Sequence, residues 1–358
     1  MTCRNTKRYC RFSRVAMWGL GDDQTMKVLV TGGCGYLGTV LTRRLLEDTR
    51  NRVRVVDALM YGGEHMLPFV GNERFQFLNG DIRDEVVVQN AVQDVDAVVH
   101  LAALVGEPLC NKFPSEAVEV NYASTIRLAD VCAKKGVKRF ITASTCSNYG
   151  LGNVTDDLIA EDGQLDPISL YSQTKVGAEK YVISRSSSME RIVLRFATLF
   201  GISPRMRFDL LLNEFVRDAH AKHKIQVFGG QAWRPIVHVQ DAARAVEICL
   251  AHEKFEKPEV FNVGSNEFNF RKQQLAKMAA DPFTAQVEEL PHIVDPRNYR
   301  VNFDKVHKYL GFNAEATPRK GIDEMAVALK LGLVSADDQR YSNPLGVRRN
   351  SSKVETGQ

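Results

Sequence analysis

A glycine cluster set directly behind a run of β-branched residues constrains this chain most. Lys27-Val28-Leu29-Val30-Thr31 reads as a buried strand, and Gly32-Gly33-Cys34-Gly35-Tyr36-Leu37-Gly38 follows it and opens a helical pattern. Glycines at 32, 35 and 38 let the chain turn tightly, admit an anionic ligand to the amides at the helix N-terminus, and let the helix pack close to the strand. Alone, such a loop serves any tight turn. Asp57 gives it meaning, because it ends the second strand, Val53-Arg54-Val55-Val56-Asp57, 19 residues past the last glycine. A carboxylate there accepts hydrogen bonds from ribose hydroxyls and repels a 2′-phosphate, so the spacing points to a dinucleotide and favours NAD over NADP.

Strands are expected near 27–31, 53–57, 75–78, 95–100, 138–143 and 191–196, each followed by a helix-length segment. That alternation predicts an α/β fold, a Rossmann-type doubly wound parallel sheet over residues 26–196. Beyond Phe196 the regularity decays. Residues 197–235 and 263–335 are read as a smaller C-terminal substrate-binding lobe, with 236–262 returning to the sheet. Residues 1–25 lack the apolar core of a signal peptide and read as a disordered extension or an upstream start ahead of Met26, with an Arg-rich organelle leader as the other reading. Residues 340–358, polar and aperiodic, read as a flexible tail.

With 44% hydrophobic and 25% charged residues among 358, the chain is neither disordered nor membrane-spanning. The formal charge of +4 sits in the ends: residues 1–25 and 340–358 each carry +3, which leaves the body at −2. Nucleic acid is therefore not an expected partner. Seven scattered cysteines without a C-x-x-C pair suggest neither a disulfide framework nor a metal site, and place the protein in a reducing compartment, the cytoplasm.

Tyr171 and Lys175 lie four apart, on one face of a helix, and an ammonium beside a phenol favours the phenolate that a base needs. Ser144-Thr145 follows the fifth strand, at the sheet end where ligands bind, so a hydroxyl there is placed to share a proton with Tyr171. Cys146, next in line, has two readings. One is packing beneath the cofactor; the other is a thiol of lowered pKa that moves a proton at C3 or C5 of a sugar.

Taken with Gly80-Asp81-Ile82-Arg83-Asp84, His100-Leu101-Ala102-Ala103, Asn121, Arg234-Pro235-Ile236-Val237-His238-Val239 and Arg297, these motifs make residues 26–330 resemble the extended short-chain dehydrogenases/reductases, in the nucleotide-sugar epimerase/dehydratase family. The resemblance implies that Asp81 and Ile82 hold the adenine, that Leu101, Ala102 and Ala103 line the pyrophosphate and ribose, and that Asn121 supports the active-site helix. It implies that Lys175 bonds the nicotinamide ribose as well as assisting Tyr171. Arg234 and Arg297 would clamp the diphosphate of a nucleoside-diphosphate sugar, a task suited to a planar fork of donors. Val227, with Phe228, would flank the base, with ordinary core packing as the competing reading, and Thr198 stands where relatives often carry a diphosphate-binding Asn.

The largest departure is Cys146-Ser147, where sugar dehydratases and decarboxylases of the family keep an acid. The expectation is thus an NAD-dependent epimerase acting at C4 through a 4-keto sugar. The alternatives are a 4-keto-sugar reductase, a hydroxysteroid-type dehydrogenase and a dinucleotide-binding protein without turnover. A homodimer through helices near 114–135 and 168–186 is also what the resemblance implies.

Overall fold

The computed structural model describes residues 25–47, 49–151, 157–290 and 297–343, so the readings of residues 1–24 and 344–358 lie outside it. In chain order the first half runs β1 (Lys27–Thr31), α1 (Tyr36–Glu47), β2 (Arg52–Asp57), β3 (Phe75–Asn79), α2 (Glu85–Ala91), β4 (Ala97–His100), α3 (Glu107–Lys112), α4 (Pro114–Val118), α5 (Ser124–Lys134), β5 (Arg139–Thr145), α6 (Leu170–Ser184) and β6 (Glu190–Phe196). The second half runs β7 (Thr198–Phe200), α7 (Leu211–Lys222), β8 (Lys224–Phe228), β9 (Trp233–His238), α8 (Val239–Ala251), β10 (Glu259–Val263), β11 (Asn269–Arg271), α9 (Lys272–Ala280), β12 (Gln286–Leu290), α10 (Asp304–Leu310) and α11 (Pro318–Lys330).

Seven parallel strands form the main sheet in the order β10-β6-β5-β4-β1-β2-β3. Both of its faces are covered. Val28 and Val30 of β1 join one buried cluster while Leu29 joins the other, so period-two alternation appears in the sequence as a continuous apolar run. The strand order reverses between β1 and β4, and ligands of open α/β sheets bind beyond the carboxyl ends of the strands at such a point.

Residues 236–262 divide between two sheets. Only β10 returns to the main sheet, while β9 pairs with β7 and β11 in a three-stranded sheet of the second lobe. Helix α8 packs on α1, where Arg44 meets Glu247 at 2.5 Å. The expected flexible tail is also corrected in part. At Arg340–Asn343 the Tyr341 ring meets Phe208 edge-on at 5.9 Å, its carbonyl accepts from the Phe208 amide, and Asn343 is buried.

His100 links the strands to the helix layer. One ring nitrogen lies 2.7 Å from the Thr31 hydroxyl and the other 2.8 Å from that of Thr125. Burial, reinforced by the Lys175 charge, pushes its pKa down from 6.5 to about 3. Between those values the unfolded chain binds a proton that the native ring refuses, so stability falls as pH falls, by about 1.4 kcal/mol per unit. Urea midpoints across that range are expected to decline less steeply in His100→Gln, and equal slopes would refute the assignment.

Candidate active site

At the switch point the glycine loop leaves almost no space. A Cβ on Gly32, whose φ is +72°, would lie 2.7 Å from the Ala102 nitrogen, and one on Gly38 would lie 2.3 Å from the Gly32 carbonyl oxygen. The backbones of β1, the loop and α1 therefore close to distances only glycine permits. Asp57 accepts from the Cys34 amide at 2.9 Å and the Leu59 amide at 2.8 Å, and burial raises its pKa against those bonds. Asp81 is bound by the amide and side chain of Arg83; burial alone would raise its pKa, but this pairing outweighs it and the net shift is downward.

One cavity of about 1140 Å³ is lined by Gly32, Gly35, Tyr36, Leu37, Gly38, Asp57, Asp81, Ile82, Leu101, Ala102 and Ala103 at its dinucleotide end. The same cavity continues past Thr145, Tyr171, Lys175 and Thr198 to Arg234 and Arg297. Its volume exceeds that of a site for a single drug-sized ligand, which suits two extended molecules side by side. The close-approach loop and the ribose-facing carboxylate fit NAD, whose chemistry when bound is to accept and return a hydride.

Helix α6 carries Tyr171 in its first turn because Ser169 and Ser172 form a reciprocal cap. Asn121 is fully buried where the chain makes a π-helical turn between α4 and α5. It brackets the Leu104 backbone at 2.8 and 2.9 Å and donates to Thr174 of α6 at 3.4 Å, so it ties the loop after β4 to the helix bearing Tyr171. It lies behind the cavity wall.

Lys175 donates to the Ala143 carbonyl at 2.9 Å, and burial lowers its pKa to about 8. Tyr171 departs from expectation, since burial raises its pKa and the cation that partly opposes this is Arg207. Cys146 is corrected as well. Thr145 caps a short 3-10 turn by accepting from the Ser147 amide at 3.1 Å, and that turn sends the Cys146 thiol away from the cavity to donate to the Arg195 carbonyl at 3.2 Å. The thiol is 1% exposed and burial pushes its pKa up, which favours the packing reading over the proton shuttle.

Val227 is likewise off the cavity. Alternation along β8 turns Ile225 and Val227 into the core against α7 and α9, leaving no surface for a base.

Arg234 and Arg297 do come together, with Arg234 donating to the Trp233 and Arg297 carbonyls at 2.7 and 2.5 Å and lying over the Tyr299 ring at 5.5 Å. Arg297 in turn stands 3.8 Å from Glu107 across the cleft. The strand bridge Ile159–Val301 and paired bonds between Asn269 and Val301 fix this segment. Residues that the sequence reading missed also line the cavity: Tyr61, Ser147, Arg205, Arg207 and Tyr299. The one signal for two of them was the basic pair in Ser203-Pro204-Arg205-Met206-Arg207, just past a strand end. Among the described residues no cluster of His, Cys, Asp or Glu is arranged to hold a metal, and no helix is long and apolar enough to cross a membrane.

A glycine loop beside a carboxylate at the end of the second strand, in one cavity with a Tyr and a Lys of one helix, is the arrangement of the dinucleotide-dependent short-chain dehydrogenase type of enzyme. The model of the NAD dependent epimerase/dehydratase family matches residues 28–264, and the chain belongs to that family. It is 31% identical to the low-salt glycan biosynthesis protein Agl12 of Haloferax volcanii, over 67% of this chain and 77% of that one. Against the UDP-glucose 4-epimerase of Corynebacterium glutamicum the identity is 27%, over 86% and 97%. Against a dTDP-glucose 4,6-dehydratase of Escherichia coli it is 28%, over 86% and 89%. The solved structure of MoeE5 in complex with UDP-glucuronic acid and NAD superposes with a TM-score of 0.73 at 25% identity, covering 86% of this chain and 99% of that one.

Proposed function

We propose that this protein is an NAD-dependent epimerase of a nucleoside-diphosphate sugar that inverts C4 through a transient 4-keto sugar. The observation that carries the reading is the cavity wall after β5. Thr145 is present, yet the next two residues are a buried thiol that faces away and Ser147, whose hydroxyl lies 3.3 Å from that of Tyr299. The sugar dehydratases that the chain resembles carry an acid at this place, and here the two residues after Thr145 supply none.

Tyr171 takes the proton of the C4 hydroxyl, with Thr145 sharing the hydrogen bond and the Arg207 charge favouring the phenolate. Arg234 and Arg297 hold the diphosphate while the keto sugar presents its other face, and Tyr171 then returns the proton to the new C4 alkoxide. The relatives named for UDP-sugars support a nucleotide sugar as the partner. The described cysteines, all buried and unbridged, support a reducing cytoplasm. Val118 at the end of α4 and Tyr122 in the π-helical turn before α5, both exposed, support a homodimer packed through this helix layer.

The test is a panel of sugar nucleotides incubated with protein and NAD in deuterium oxide. C4 inversion gives the epimer without carbon-bound deuterium and without net absorbance at 340 nm. Cys146→Ala is expected to behave like the unmodified enzyme. A 4-keto-6-deoxy product would establish a dehydratase, and stoichiometric consumption of reduced cofactor a reductase. Deuterium on carbon that disappears in Cys146→Ala would restore the thiol to the chemistry.

A further inference from the structure

The second lobe reaches the glycine loop through one short segment. Tyr36, in the first turn of α1, donates to the Gly201 carbonyl at 2.5 Å, and Ser203 donates back to the Tyr36 carbonyl at 2.8 Å. Asn213 donates to the Tyr36 hydroxyl at 3.1 Å and to the Arg207 carbonyl at 2.8 Å, closing the loop upon the helix. Arg205 projects from this loop into the cavity wall. Its guanidinium lies over the Tyr61 ring at 4.2 Å, is 2% exposed, and donates from one nitrogen to the Met206 carbonyl at 3.2 Å.

The other two nitrogens, Nε and Nη2, have no acceptor. Asp209, the nearby carboxylate, is taken by Arg207, and Asp57 by two backbone amides. A buried guanidinium with open donors is costly unless an anion completes it. Its place marks which anion: the loop that bears it is bonded to Tyr36 of the glycine loop, and its guanidinium lies over Tyr61 from the loop that follows Asp57. Tyr36, Asp57, Tyr61 and Arg205 line one cavity, and a dinucleotide held by the glycine loop and Asp57 would pass its diphosphate along that wall.

We propose that Arg205 is a phosphate ligand of the bound dinucleotide, donating from the second lobe to the diphosphate that the α1 N-terminus holds from the other side. The inference rests on the NAD assignment and is independent of the sugar chemistry. Both lobes then grip the cofactor, which suits an enzyme that regenerates it at each turnover and has no need to exchange it.

Calorimetric titration of cofactor-stripped full-length protein tests this. Arg205→Met is expected to weaken NAD and ADP-ribose alike by about tenfold to a hundredfold. Adenosine and UDP should bind as before, and Arg205→Lys should recover part of the loss. Thermal melting separates a ligand from a strut. Stripped Arg205→Met should melt no lower than the unmodified protein, since an unpaired buried charge is removed, yet NAD should raise its melting temperature less. Unchanged NAD affinity would overturn the proposal. So would a loss confined to UDP, which would assign Arg205 to the substrate's diphosphate, or a lower melting temperature with the NAD-induced shift intact.

Discussion

Tyr171→Phe is expected to lower kcat by about two to four orders of magnitude while NAD and the nucleotide sugar still bind, because general acid-base catalysis is worth that much and the ring itself stays. The structure adds a pH signature. Burial raises the Tyr171 pKa, so the phenol keeps its proton through neutral pH, and kcat/KM of the unmodified enzyme should climb as pH rises. The climb should bend near pH 8, where Lys175 in the same cavity loses its charge. In Tyr171→Phe the climb should vanish. Lys175→Met should flatten the bend and weaken NAD as well. Retention of more than about a tenth of the activity in Tyr171→Phe would remove Tyr171 from the chemistry.

What could be read in advance was whatever local spacing encodes. Gly32, Gly35 and Gly38 report a backbone path, Asp57 reports the end of a neighbouring strand, and Tyr171 with Lys175 report one helical turn; each follows from chain geometry over a few residues. The structure brings all of them to one cavity. Cys146 kept two readings because its direction depends on a 3-10 turn that Thr145 caps, and the run Thr145-Cys146-Ser147 gives no hint of that rotation. Val227 failed for a related reason: alternation tells which residues share a face of β8 but not which face meets α7 and α9.

Arg205 was invisible for a third reason. The ring it lies over belongs to Tyr61 and its loop is bonded to Tyr36, both more than a hundred residues away, and nothing about an arginine in an irregular loop announces them. The order at Arg340–Asn343 is of the same kind, since it depends on the Phe208 ring and backbone rather than on any periodic pattern.

Arg234→Ala is expected to cost more substrate affinity than the loss of one charged hydrogen-bond donor. A single such donor is worth about 1.5–3 kcal/mol, roughly tenfold to 150-fold in binding. Arg234, however, is 5% exposed and bonds the carbonyl of Arg297, so its side chain also holds the second clamp residue in position. Removing it frees the Arg297 backbone, so the Arg297 guanidinium, which stands 3.8 Å from Glu107, loses an anchor that sets where it points. Arg297 itself is partly exposed, and Arg297→Ala leaves Arg234 bonded to backbone, so that variant should lose only its own contribution. The two substitutions should therefore be strongly non-additive, with the double variant scarcely weaker than Arg234→Ala alone. Cofactor affinity, set at the far end of the cavity, should not move in any of the three. Titration of a UDP-sugar into the NAD-loaded single and double variants measures this directly. Additive losses would mean that Arg234 and Arg297 act independently and that the bond between them has no part in positioning the clamp. A loss of NAD in step with the sugar nucleotide would mean that the substitution had disturbed the fold rather than the clamp.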